Sequence, residues 1–203
     1  MRDATTGNAR GRRTRTALLD ATRAILERSG FGGLTMAAVA ARAGVSRRAV
    51  YLHFETRTDL ITALFDHVSD AEGLSDSLNP VFDAADARAA LRAWARHLAY
   101  FQPRVMAVYQ AAQAHASADP DAARHLAQVA DDQRSVCTRI AKRLAAENRL
   151  AAPWTVPTAR DMLWALISPD MIHRLLADQA WPNHRLATHL DAMLTATFLT
   201  TPK

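Results

Sequence analysis

The chain has 203 residues and a net charge of +5 from 25 basic and 20 acidic side chains; that length fits one domain, or a small one joined to a larger one, and buries a core without staples. A single cysteine, Cys137, excludes a disulfide framework and a multi-cysteine zinc ribbon. No apolar run reaches the ~18 residues a membrane span needs, and no signal-like core follows the arginine-rich start, so a soluble, cytoplasmic protein without membrane contact is expected.

The charge is unevenly placed. Residues 1–57 carry eleven basic and four acidic groups, whereas 58–203 carry fourteen and sixteen, the distribution of a small nucleic-acid-binding head on a near-neutral body. Forty-three alanines against seven glycines favour helix throughout, and no strand pattern occurs. The expected fold is therefore all-α.

In chain order, residues 1–13 are polar, lack a hydrophobic period and read as a disordered basic arm. Leu18, Ala21 and Ile25, flanked by Leu19, Thr22 and Leu26, give an amphipathic helix over 14–29 that Gly30 ends. Thr35 caps a short helix, Met36–Ala43, which Gly44 stops, and Ser46 caps another over Arg47–Phe54. Thr56 and Asp59 open a longer helix to about Asp76. Further helices are expected over 86–101, 103–117, 120–148, 158–167, 169–179 and 183–199, with Pro103, Pro120 and Pro169 at helix starts. The domain boundaries that follow are 1–13 for the arm, 14–57 for a three-helix head and 58–203 for the body.

The two short helices have the makings of a helix-turn-helix. Ala40 permits close approach, Gly44 supplies a left-handed turn residue, and Val39, Ala43, Val45 and Val50 form the apolar contacts, with Phe54 closing the far end. With Val50 and Phe54 inward, Arg47, Arg48, Tyr51, Leu52 and His53 occupy the opposite arc, a basic and aromatic face sized for the major groove.

The run Leu34–Phe54 followed by Glu55–Leu60 resembles the DNA-binding head of the TetR family of bacterial transcriptional regulators, with Ala40, Ala43-Gly44-Val45-Ser46, Val50-Tyr51, His53-Phe54 and Asp59-Leu60 in the family's pattern. The likeness covers about 14–65. A fainter one in the tail, at Leu163-Trp164-Ala165-Leu166, Ser168-Pro169-Asp170 and Trp181, is to the C-terminal region common in actinobacterial members. The resemblance implies phosphate contacts from Tyr51, His53 and Arg57, and a cap on the second helix from Thr35. Arg47 and Arg48 are then candidates for bidentate contact to guanine, and Leu52 for a thymine methyl. Arg10, Arg12, Arg13 and Arg15 either enter a minor groove or add counterion release.

A DNA-reading head implies a palindromic operator and a two-fold homodimer. The last helix offers Leu186, Leu190, Met193, Leu194 and Phe198 as one stripe, and Met162 and Leu166 belong to another, which together suit a four-helix interface. Trp94, His97, Phe101, Met106, Tyr109, Gln113, His125 and Trp164 are the aromatic and polar residues expected to line a pocket for a small hydrophobic effector. The function read from these features is a ligand-responsive regulator, read as a repressor; the alternatives are an effector-independent DNA-binding regulator and an all-helical enzyme. The eight histidines show no metal-pair spacing and Cys137 lies on an apolar helix face, so no catalytic residue, metal or cofactor is expected.

Overall fold

In the computed structural model, the described residues are 3–200, with side chains described from residue 9. Among them the chain is helical, and its one β feature is an isolated antiparallel bridge between Leu150 and Leu199. The helices are α1 (Asp3–Ser29), α2 (Met36–Ala43), α3 (Arg47–Tyr51), α4 (Arg57–Ala71), α5 (Leu74–Phe82), α6 (Ala87–Tyr100), α7 (Gln102–His115), α8 (Pro120–Ala146), α9 (Val156–Ala165), α10 (Pro169–His173) and α11 (Asn183–Phe198).

Two compact units divide the chain: Met1–Ala71 with Ala107–Leu126, and Glu72–Met106 with Ala127–Lys203. The expected boundary after residue 57 does not coincide with this division. All of α4, the end of α7 and the start of α8 belong with the head.

In the first unit, α1 packs on α2 and α4, and α2 packs on α3. Leu18, Ile25 and Leu26 of α1 are buried with Val39, Val50, Leu60 and Leu64, each large side chain contributing about 1.5–3 kcal/mol through burial. Thr22 is buried among them, its hydroxyl donating to the Leu18 carbonyl at 2.7 Å. α1 begins at Asp3, so from there the expected disordered arm is helical; residues 1 and 2 lie outside the described residues. Once a packed segment has nucleated a helix, each added residue needs only the small propagation step, and Ala, Arg and Thr allow it.

The second unit is built around α6, which packs on α5 and α11. Asp86 caps α6, accepting from Ala89 N at 2.7 Å, and Leu91, Trp94 and Leu98 are buried. The helix expected to run to about Asp76 instead ends at Ala71, and α5, which the sequence pattern did not predict, starts after Gly73. Pro80 sits inside the helix, where it removes an amide donor; burial of Val81, with Leu78 and Phe82 packed against the core, offsets that loss. The single helix expected over 169–179 is instead α10 followed by a π-helical turn, Arg174–Asp178, which lets both Leu175 and Leu176 pack on the core.

Candidate nucleic-acid interface

Local chemistry fixes α3 at both ends. Gly44 takes φ 68°, ψ 30°, the left-handed conformation that closes α2, and its N–H bonds back to Ala40 and Ala41; a side chain there is strained. The Ser46 hydroxyl then accepts from Ala49 N at 3.2 Å and starts α3. Thr35 does the same for α2, accepting from Ala38 N at 3.1 Å.

Only Arg47–Tyr51 is regular helix, shorter than the expected 47–54, but Phe54 N still donates to Val50 O at 2.9 Å. The helical sense therefore continues through Leu52 and His53. Val50 and Phe54 are buried, and the Arg15 guanidinium lies 4.5 Å over the Phe54 ring, so one of the four N-terminal arginines expected to meet DNA packs on the head.

Opposite that anchor, Arg47, Arg48, Tyr51 and Leu52 are exposed, Leu52 at 77%. His53 is half-buried with its ring tilted against Phe54. Between Glu27 and Glu55 the sequence holds Arg28, Arg42, Arg47 and Arg48 and no acidic residue. This face offers forked donors, a phenol and an apolar tip, the set that contacts base edges and phosphates.

Arg57 departs from its expected role. Its Nε donates to Leu34 O at 3.1 Å, Nη2 donates to Phe31 O at 3.2 Å and Asp119 Oδ2 at 2.7 Å, and Nη1 donates to Asp119 Oδ1 at 3.3 Å and Asp121 Oδ2 at 2.8 Å. All five guanidinium hydrogens are thus engaged within the protein, so in this arrangement none is left for a phosphate.

The acceptors are themselves held. Asp119 Oδ1 accepts from the amides of Asp121 and Ala122, capping α8. Asp121 Oδ1 accepts from Thr58 and Arg124, both at 2.8 Å. The Arg57 hydrogen bond holds the Asp119 carboxyl below its ordinary range. Sequence reading missed both aspartates; the only signal was the Asp-Pro-Asp start of a helix, which reads as a cap and says nothing about a partner 62 residues away.

The expected effector residues are divided between the two units. In the second unit, His97 stacks between Trp94 and Phe101, with ring centroids 5.0 and 5.1 Å away. Its Nδ1 shares a hydrogen bond with Ser77 Oγ at 2.9 Å, and burial pushes its pKa down to about 4, so the ring is neutral at pH 7. Trp94 Nε1 and Gln102 Oε1 are buried there without a hydrogen-bond partner, an unusual pair of unmet groups. Gln102 is a polar group the sequence reading passed over. Met106 is half-buried, and Trp164 is 37% exposed beneath the Arg134 guanidinium. Tyr109, Gln113 and His125 belong to the first unit. There His125 stacks on Phe65, burial lowering its pKa to about 4, while Gln113 is exposed.

The expected dimer stripe is corrected as well. Leu186, Leu190, Leu194 and Phe198 are each at most 3% exposed and join the core of their own unit. Their period is that of α11 against α6, an amphipathic signal that is identical for core and interface. Leu166 and Met193 are half-buried against the same core, and only Met162 is left open, at 38%.

Among the described residues no three potential metal ligands cluster and no helix is long and apolar enough to cross a membrane. Cys137 is buried, its thiol pushed up to about 12 by desolvation.

Residues 18–64 match the family model described as bacterial regulatory proteins, tetR family. The chain is 29% identical over 193 residues to the HTH-type transcriptional repressor LfrR of Mycolicibacterium smegmatis, covering 94% of this chain and 93% of that protein. Its fold is similar to NalD, the secondary repressor of the MexAB-OprM multidrug efflux pump in Pseudomonas aeruginosa, with TM-score 0.71, 20% identity and coverage of 95% of this chain and 99% of that one. It is also similar to SmeT in its triclosan complex, with TM-score 0.74, 18% identity and coverage of 92% of each chain.

Proposed function

We propose that the chain, whose residues 18–64 match the model of the tetR family of bacterial regulatory proteins, is a cytoplasmic repressor of that family that binds a palindromic operator as a homodimer and is released by a small molecule. The observation that carries the reading is the α3 surface: Arg47, Arg48, Tyr51 and Leu52 stand exposed on a helix capped by Ser46 and anchored through Val50 and Phe54. Arg47 and Arg48 read guanine edges, Leu52 meets a thymine methyl, and Tyr51 and His53 hold phosphates. Thr35, as the cap of α2, sets an amide end against the backbone. In a two-fold dimer the two reading helices stand about 34–36 Å apart, in successive major grooves.

For the effector, the supporting observation is the stack of Trp94, His97 and Phe101 with the unmet Trp94 donor and Gln102 acceptor beside it in the sequence and buried in the same unit. A mostly apolar, uncharged molecule that brings one acceptor and one donor fits this chemistry, because neutral His97 favours no anion. SmeT, similar in fold, has been seen with triclosan. Met162 and Trp164, both over a third exposed on α9, are the apolar side chains proposed to meet the second subunit.

Fluorescence anisotropy with a duplex of the intergenic DNA beside the protein's own gene tests the reading. The wild type is expected to bind, and the Arg48→Ala/Tyr51→Phe double variant to bind at least ~10-fold more weakly at unchanged melting temperature. Equal binding by the two proteins removes the proposed roles.

A further inference from the structure

We propose that Asp119 and Asp121 form an internal competitor for DNA, withholding Arg57 from a phosphate until the α7–α8 corner releases it. This rests on the DNA-binding reading above.

The place where Arg57 lies suits an anion. The residue opens α4, and its Nε bond to the Leu34 carbonyl puts the guanidinium next to the Thr35 cap at the start of α2. An arginine held beside the start of α2, at the edge of the helix-turn-helix, is a combination that favours negative charge.

Two carboxylates already occupy that place. Asp119 takes Arg57 end-on through both oxygens and Asp121 adds a third charged acceptor, while the Phe31 and Leu34 carbonyls take the remaining donors. With Arg124 also paired to Asp121, two cations face two anions and the cluster is neutral, so a phosphate approaching it loses the attraction that Arg57 alone would exert. The same effect shows in the unit as a whole. Residues 1–57 have a charge of +7, but the unit that adds α4 and the 107–126 segment holds twelve basic and nine acidic residues.

The corner is fitted to the head by more than charge. Thr58 Oγ1 donates to Asp121 at 2.8 Å. Gly30, at φ 62°, presents its bare Cα to the His115 ring, which a Cβ would overlap, and His115 also packs against Phe31, with ring centroids 6.1 Å apart. Arg57 is thereby held in a defined position, and any movement of the corner exchanges its partner.

The test is the salt dependence of DNA affinity for the full-length protein on the same intergenic duplex. Asn at position 119 still caps a helix, so Asp119→Asn/Asp121→Asn removes charge with little change of shape. The double variant is expected to bind roughly tenfold more tightly at low salt, and its plot of log affinity against log salt to steepen by about 0.9, the signature of one added phosphate contact. Adding Arg57→Gln to that variant is expected to return the slope to the wild-type value. Should the double variant lose its helical circular dichroism, Asp119→Asn alone carries the test, with the same expected direction. An unchanged slope in folded Asn variants, or a slope that falls by about 0.9 when Arg57→Gln is made in the wild type, overturns the competition and leaves the DNA-binding reading standing. A wild type that binds no duplex at any salt overturns both.

Discussion

Phe54 N donates to Val50 O at 2.9 Å, and both side chains are buried, so the last turn of the reading segment hangs from the head's core. Leu52, between them in sequence, is 77% exposed. The two sets of residues should separate in experiment. Phe54→Ala is expected to destabilise the protein by about 3–5 kcal/mol. Leu52→Ala and Arg48→Ala should stay within about 0.5 kcal/mol of wild type while weakening operator binding. Chemical denaturation alongside DNA titration reads both effects; an Arg48→Ala variant with lost stability and unaltered DNA affinity would reverse the assignment.

Gly44 and Ser46 hold the turn before α3, one through a left-handed backbone and the other through a side-chain cap. Ser46→Ala is expected to cost about 1 kcal/mol, and Gly44→Val more, because a β-branched side chain resists positive φ. Thermal unfolding with the melting midpoints compared checks the order.

The stripe on α11 leads to a different outcome from that expected of an interface. Leu190 and Leu194 are buried in their own unit, so a charge at either position is expected to unfold the protein, since an unpaired buried charge is not tolerated. Met162→Asp, on an exposed site, should leave the circular dichroism unchanged and shift the size-exclusion profile toward monomer. A persistent dimer in that variant places the interface elsewhere.

His97 gives a pH dependence. Its folded pKa of about 4 lies below the unfolded 6.5, so the unfolded chain takes up the proton first as pH falls. The stability due to the neutral ring is complete above pH 6.5 and is lost as pH drops toward 4. Between pH 7 and 5 the wild type is expected to lose about 2 kcal/mol more than His97→Gln, measured by denaturant unfolding at the two pH values. Equal losses would show that the ring is not held neutral by burial.

The head was legible in the sequence because its signals are local. Thr35, Gly44 and Ser46 act within one turn of their own positions, and the Val50–Phe54 spacing fixes which arc faces outward. The Arg57 cluster was not legible, since its partners come from a segment 62 residues away and an exposed-looking arginine at a helix start carries no mark of a distant carboxylate. The α11 stripe was visible as a stripe, but period 3.6 does not say what covers it. The pocket residues are divided between two units, which the sequence does not signal for a related reason. Aromatic composition does not report which unit a residue joins, whereas the unmet Trp94 and Gln102 groups appear only once burial is known.

The central claim is that the α3 face reads DNA sequence, and the most direct measurement is the ratio of affinities for the intergenic operator and for a scrambled duplex of the same length at about 150 mM salt. The account predicts a wild-type ratio of at least about 10³, falling by one to two orders of magnitude in an Arg47→Ala/Arg48→Ala variant that keeps its melting temperature. A wild-type ratio near one, or a ratio the double substitution leaves intact, contradicts it.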